Sequence, residues 1–118
     1  MSSTAPFDAA FAHNIYAARY RHETDRNWDG TAARVAGSVM DALRPTLRYS
    51  ETQLEDATNR IYRLIADRRL MPGGRYLYAA GRDLHQVNNC ILLRCPDDRE
   101  GWATTSYQAE MSLMTGAG

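Results

Sequence analysis

Apolar residues recur at helical spacing through the first two thirds of the chain. Their spacing predicts three amphipathic helices, over residues 7–20, over residues 28–43 and from residue 50 to about residue 69. The apolar positions that define these faces are Phe7, Phe11, Ile15 and Ala18, then Val35, Val39, Met40 and Leu43, and then Leu54, Ala57, Ile61, Leu64 and Ile65. Each face needs an opposing apolar surface, so we expect a helical core in this part of the chain.

Local signals mark the ends of these helices. Pro45 closes the second helix, because the residue before a proline is disfavoured in helical geometry. Ser50 and Gln53 fit a capping box at the start of the third helix, in which each side chain accepts from a free backbone N–H group. Pro72 and the two glycines that follow it end the third helix.

The helical spacing is lost in the last third of the chain. Residues 75–81 form a short segment that ends in a turn, and residues 90–94 are a continuous apolar run with the length of a strand. Such a run is typical of a strand that is buried on both faces, as in a parallel sheet. Asp97 or Asp98 is expected to cap a final helix, which ends at the glycines of residues 116–118.

One strand cannot form a sheet alone, since a buried parallel strand needs neighbours and crossover connections. We therefore expect a mainly α chain with an N-terminal helical region at residues 1–70. Residues 71–118 would then be the start of a larger α/β domain and contain its first strand. On this interpretation the chain is the N-terminal part of a longer protein.

Composition excludes several classes of protein. The 118 residues carry 14 basic and 14 acidic side chains, so the net charge is zero, which argues against direct nucleic-acid binding. No apolar run is long enough to span a membrane, and the first residues lack the features of a signal peptide. Cys90 and Cys95 would lie roughly 16 Å apart on an extended strand, too far apart to pair. These features predict a cytoplasmic protein without a membrane partner.

Candidate chemistry centres on Cys90, which lies between two glycine-rich turns. Glycine allows a ligand to approach the backbone closely, so this thiol could face a bound small molecule. A buried structural thiol is the alternative. Arg75 and Arg82 could hold phosphates or form ordinary ion pairs. His22 and His85 are interpreted as surface and turn residues, and no metal site is predicted.

Several short motifs together resemble the opening of a ribonucleotide reductase catalytic subunit. They are Met71-Pro-Gly-Gly-Arg75, then Gly81, then Asn88-Asn-Cys90-Ile-Leu-Leu, then Thr115-Gly-Ala-Gly118, and residues 16–24 are similar to the helical lead-in of that family. Each motif is weak alone, but their order and spacing are specific. The chain is most similar to the adenosylcobalamin-dependent ribonucleoside-triphosphate reductases.

The resemblance implies a parent fold, a reaction and a set of site residues. The fold is a ten-stranded α/β barrel, and the reaction replaces the ribose 2′-hydroxyl of a ribonucleotide with hydrogen through radicals. Cys90 would be one member of a redox pair that a thioredoxin-like reductant regenerates. Asn89 and Gly118 would lie near the substrate, and Asp97 near a deoxynucleotide effector. The second redox cysteine and the radical cysteine would lie beyond this chain, so the isolated chain is expected to be inactive.

A small helical interaction module without catalysis is the alternative from a different class. It would explain the three amphipathic helices. It leaves the Pro-Gly-Gly-Arg motif of residues 72–75 and the run that starts at Cys90 without a role.

Overall fold

The chain is mainly α-helical, as the spacing of its apolar residues predicts. The computed structural model describes residues 9–83 and 86–116. Within these residues it contains five helices and no strand. The helices are α1 (Ala10–Arg19), α2 (Trp28–Leu43), α3 (Glu51–Ala66), α4 (Gly74–Ala79) and α5 (Arg99–Met114).

The core lies where α2 packs against α3 and α4. Trp28, at the start of α2, donates its indole N–H to the carbonyl oxygens of Ile65 at 3.1 Å and Ala66 at 3.2 Å. Its ring meets the edge of the Tyr16 ring from α1, with 5.6 Å between centroids. Aromatic pairs in this geometry add to the free energy gained from burial. The buried residues of this core are Tyr16, Trp28, Ala32, Val35, Ile65, Leu77 and Ala80.

Helix α3 begins as predicted but ends earlier. Ser50 Oγ accepts from the N–H of Gln53 at 3.3 Å, and Gln53 Oε1 accepts from the N–H of Ser50 at 2.9 Å, which completes the capping box. The helix ends at Ala66, because Arg68 adopts a φ of 59° and turns the chain out of the helix. The prediction had placed this end near residue 69.

Helix α1 departs from its predicted apolar face. Only Tyr16 is buried, whereas Phe11 is 75% exposed and Ile15 is exposed as well. Phe7, which was also assigned to that face, lies outside the described residues. The apolar spacing therefore identified a helix, but its apolar side is mostly left uncovered by α2 and α4.

The predicted strand at residues 90–94 is wrong for the described chain. These residues have no regular secondary structure, Cys90 is exposed and Leu92 is 98% exposed. A strand requires a second segment that pairs with its backbone groups, and no described segment does so. Residues 74–79, expected only as a short segment, form α4 instead.

Helix α5 has the predicted end signals but no buried residue. Asp98 Oδ1 accepts from the N–H of Gly101 at 2.7 Å, and Gly116 adopts a φ of 81° after the last turn. The radius of gyration is 18.0 Å, compared with about 13 Å for a compact chain of this length. The exposed apolar residues of α5 are Trp102, Tyr107, Met111, Leu113 and Met114.

None of the described helices combines the length and the apolar character needed to cross a bilayer.

Candidate functional site

Arg75 connects three segments that are distant in the sequence. Its backbone N–H donates to Asn89 Oδ1 at 2.9 Å, over a separation of 14 residues. Its Nη2 donates to the carbonyl oxygen of Thr115 at 2.8 Å, over a separation of 40 residues. We call this contact region, formed by residues 73–75, 89–90 and 115–116, the Arg75 junction. It brings together the motifs at residues 71–75, 88–90 and 115–118, as far as the last of these is described.

Two glycines allow the close packing of this junction. A Cβ atom at Gly73 would lie 2.2 Å from Asn89 Nδ2, and a Cβ atom at Gly116 would lie 2.6 Å from Arg75 Nη2. Real Cβ atoms do not come so close to other heavy atoms, so a larger residue at either position would push its neighbour away. A side chain at Gly73 would therefore displace the Asn89 amide, and one at Gly116 would displace the Arg75 guanidinium and would also be strained by the positive φ.

Asn89 serves as a cap that comes from a distant part of the chain. The residue before α4 is Gly73, which has no side chain to accept from the free N–H groups of the first turn. Asn89 Oδ1 takes that role toward Arg75. Its Nδ2 group makes no hydrogen bond within the described chain, so the amide can still donate to a ligand. The predicted contact between Asn89 and substrate stays a prediction.

Both cysteines are free thiols and both are exposed. Cys90 directly follows Asn89 and so extends from the Arg75 junction into solvent. The Sγ atom of Cys95 lies 3.8 Å from the carbonyl oxygen of Pro96, which is a weak contact. The alternative that Cys90 is a buried thiol is therefore wrong for the described chain.

Asp97 is not brought to the Arg75 junction by any contact among the described residues. Asp97 is exposed and makes no hydrogen bond or ion pair within the described residues, while its neighbour Asp98 caps α5. Gly118 and His85 lie outside the described residues. The described chain also has no cluster of three or more His, Cys, Asp and Glu side chains that could hold a metal ion.

The two arginines that were considered for phosphate binding, Arg75 and Arg82, both donate to backbone carbonyl oxygens. Arg75 donates to a carbonyl oxygen, as described above. Arg82 donates through Nε to the carbonyl oxygen of Tyr78 at 2.5 Å and through Nη2 to that of Arg21 at 3.3 Å. Its guanidinium also lies 4.2 Å from the centroid of the Tyr78 ring, a distance at which a cation and an aromatic face attract.

A buried polar cluster behind α4 was missed by the sequence patterns, which assign residues 19–27 to a polar connector. Asp25 accepts from Arg34 Nη2 at 2.8 Å, from Thr31 Oγ1 at 2.8 Å and from the N–H of His22 at 3.0 Å. The hydroxyl groups of Tyr16 and Thr31 are 2.7 Å apart. The available signal was that Thr31 and Arg34 lie three residues apart, on one face of α2, close after an acidic residue.

Arg34 extends this cluster to α4. It donates to the carbonyl oxygens of Ala80 at 2.5 Å, Leu77 at 3.0 Å and Tyr20 at 3.4 Å. The bonds to Ala80 and Leu77 satisfy carbonyl groups at the C-terminal end of α4, and the bond to Tyr20 reaches the C-terminal end of α1. The cluster therefore holds α4 against α2, and α4 in turn presents Arg75 to the junction.

Burial and hydrogen bonding act in opposite directions on the pKa of Asp25. Burial raises it, but hydrogen bonds from Arg34, from the backbone of His22 and from Thr31 together hold the pKa below its ordinary value. Burial and, more weakly, the Asp25 charge raise the pKa of Tyr16, against the effect of its hydrogen bond with Thr31. Asp25 is therefore a charged partner of Arg34 at neutral pH.

Comparison with known proteins adds no relative. No family model matches the chain, and no curated protein and no solved structure matches it significantly.

Proposed function

We propose that this chain is the N-terminal part of an adenosylcobalamin-dependent ribonucleotide reductase, which reduces ribonucleoside triphosphates to 2′-deoxyribonucleotides for DNA synthesis. The observation that supports the proposal is the Arg75 junction. Arg75 contacts Asn89, 14 residues later, and Thr115, 40 residues later. These residues belong to the three motifs whose order carries the resemblance. The contacts lie beside a free, exposed thiol.

In this proposal Cys90 is one of two thiols that supply the electrons. The substrate loses its 2′-hydroxyl as water and gains hydrogen at that carbon, while two thiols lose their hydrogens and form a disulfide. A thioredoxin-like dithiol then reduces the disulfide by exchange. The exposure of Cys90 supports this role, because the thiol must meet substrate, a second thiol and the reductant in turn.

The neighbours of Cys90 would orient it and the substrate. Arg75 fixes the side-chain oxygen of Asn89, so the amide N–H groups of Asn89 are held next to Cys90 and can donate to a substrate oxygen. Gly118 would allow the ribose to approach the backbone. Asp97 would contribute to the site of a deoxynucleotide effector, and the whole protein would act in the cytoplasm.

Adenosylcobalamin would supply the radical that starts the reaction. The described residues carry no cluster of metal-ligating side chains, and the resemblance places the cofactor's binding residues elsewhere in the full-length protein. No residue of this chain is therefore assigned to cobalamin.

The test is multiple turnover by the full-length protein, with ribonucleoside triphosphate, adenosylcobalamin and thioredoxin. Cys90→Ser should abolish sustained deoxynucleotide formation, because a hydroxyl cannot form a disulfide, while substrate binding should be retained. Cys95→Ser is the matched control and should keep most of the wild-type rate. Wild-type turnover by Cys90→Ser would show that Cys90 is not a redox residue, and turnover that needs no cobalamin would refute the cofactor assignment.

A helical interaction module is the second candidate, and the exposed apolar residues of α5 favour it. In that case a protein partner would cover Trp102 and its apolar neighbours on α5. The two candidates differ in a simple readout. The module predicts that the full-length protein forms no deoxynucleotide under any combination of reductant and cofactor, and that substitutions on α5 abolish binding of a protein partner.

A further inference from the structure

A cleft runs between α1 and the segment that leads into α4. One part, of about 420 Å³, is lined mainly by apolar side chains, among them Phe11, Trp28 and Met71. The other part, of about 660 Å³, is lined by Arg19, Arg75, Tyr78 and Asn89 among others. We call the whole feature the α1–α4 cleft.

The two parts adjoin each other, because Ile15, Tyr20 and Gly74 line both of them. Tyr20 packs directly on Gly74, where a Cβ atom would lie 3.0 Å from the tyrosine ring. The absence of a side chain at Gly74 therefore lets the ring lie at the boundary between the apolar and the cationic part. A single ligand can contact both parts at once.

The cationic part carries positive charge that no acidic side chain compensates. Arg19 is exposed and forms no ion pair with the described residues, unlike Arg34, Arg44 and Arg60, which each pair with a carboxylate. The Arg75 side chain donates one hydrogen bond, to a carbonyl oxygen, so its charge is not neutralised. No Asp or Glu of the described chain lines either part of the cleft.

We infer that the α1–α4 cleft binds a small amphipathic organic anion, with an apolar body against Phe11 and Met71 and a carboxylate or phosphate against Arg19 and Arg75. Both volumes fall in the range typical of ligand sites. Arginine favours such groups because its planar fork donates two parallel hydrogen bonds. The inference goes beyond the proposed reductase function and does not depend on it, since it uses neither Cys90 nor radical chemistry.

The first test uses anilinonaphthalene sulfonate, a fluorescent anion with an apolar body, as the probe on the 118-residue chain. Arg19→Gln should weaken its binding about tenfold, because one charge-assisted hydrogen bond is lost. Phe11→Ser should weaken it about fivefold through lost apolar contact. Arg48→Gln and Leu113→Ser change exposed residues outside the cleft and should leave the affinity within about twofold of wild type. Circular dichroism checks that all four variants keep the wild-type helix content.

Displacement of the probe identifies the source of the anion. Displacement by millimolar decanoate but not by ATP points to an acyl carboxylate, and the reverse points to a nucleotide. Inorganic phosphate alone should displace the probe poorly, because it has no apolar body. The inference is overturned if Arg19→Gln behaves like Arg48→Gln, if Phe11→Ser behaves like Leu113→Ser, or if neither decanoate nor ATP displaces the probe. None of these results bears on Cys90, so the proposed function would stand or fall separately.

Discussion

The two parts of the described chain are stabilised in different ways. Residues 9–83 form a core in which α2 buries an apolar face and a charged cluster joins three helices. Residues 86–116 contain a helix without a single buried residue, and the contacts of Arg75 with Asn89 and Thr115 tie this part to the first. A helix can therefore form without burying any residue, so regular secondary structure alone does not show that a region is stable by itself. Helix α5 is as long as α2, but its apolar residues have no described surface to pack on.

The largest loss of stability is expected when the buried ion pair between Asp25 and Arg34 is broken. Arg34→Met should lower the free energy of unfolding by about 3–5 kcal/mol, because the carboxylate of Asp25 would remain buried without its partner. Arg60→Met is the matched control. It removes an exposed ion pair with Asp56 and should cost less than about 1 kcal/mol. Urea unfolding followed by circular dichroism measures both.

Equal losses of unfolding free energy in Arg34→Met and Arg60→Met would contradict the central role of the buried cluster. If Arg34→Met does not fold, Thr31→Val offers a milder test of the same cluster. It removes the hydroxyl that bonds to Asp25 and Tyr16 and should cost about 1–3 kcal/mol.

The same cluster should make the free energy of unfolding depend on pH in the acidic range. Because the native pKa of Asp25 lies below its ordinary value of 3.8, the carboxylate contributes its full stabilisation above that ordinary value. This contribution is lost as the pH falls through the lowered native pKa. Urea midpoints measured from about pH 6 down to about pH 2 should fall more steeply for the wild type than for Asp25→Asn. Parallel curves would show that Asp25 does not contribute to the acid dependence.

The two tryptophans allow one chemical change to be compared in both regions. Trp28→Phe should cost about 1–3 kcal/mol, because the carbonyl groups of Ile65 and Ala66 lose their donor. Trp102→Phe should change stability by less than about 0.5 kcal/mol, since this side chain is exposed on α5. A loss for Trp102→Phe as large as that for Trp28→Phe would mean that α5 packs on the core, and the comparison would fail.

The smallest effect is expected at the connection between the regions. Asn89→Ala removes the cap of α4 and should lower the free energy of unfolding by about 1 kcal/mol. It should also speed the alkylation of Cys90 by iodoacetamide, because the backbone before the thiol is released, while Cys95 reports the unchanged background. Asn88→Ala is the matched control, since its side chain makes no described hydrogen bond. Equal acceleration of both cysteines, or of neither, would argue against a tether at Asn89. Mass spectrometry distinguishes the two sites.

The candidate site could be predicted only in part. The motifs were visible as sequence, and Cys90 and Asn89 were identified from them, but not that Arg75 joins them. Hydrogen bonds from a side chain to a backbone carbonyl, such as that of Arg75 to Thr115, leave no pattern in the sequence because every residue has a carbonyl group. The Asp25 cluster was missed for a related reason, since an acid in a polar connector is usually solvated.

What the sequence by itself determined is local. The bounds of α2, the capping box at Ser50, the cap at Asp98 and the turn at Gly116 all follow from interactions within a few residues. The tertiary structure decided which apolar faces are covered. It leaves Phe11 and all of residues 90–94 except Leu93 exposed although their spacing indicated burial, because burial and strand pairing depend on a partner surface that periodicity does not reveal. It also decided that the Arg34 guanidinium bonds to the C-terminal ends of both α1 and α4, since only the fold brings their carbonyl groups together.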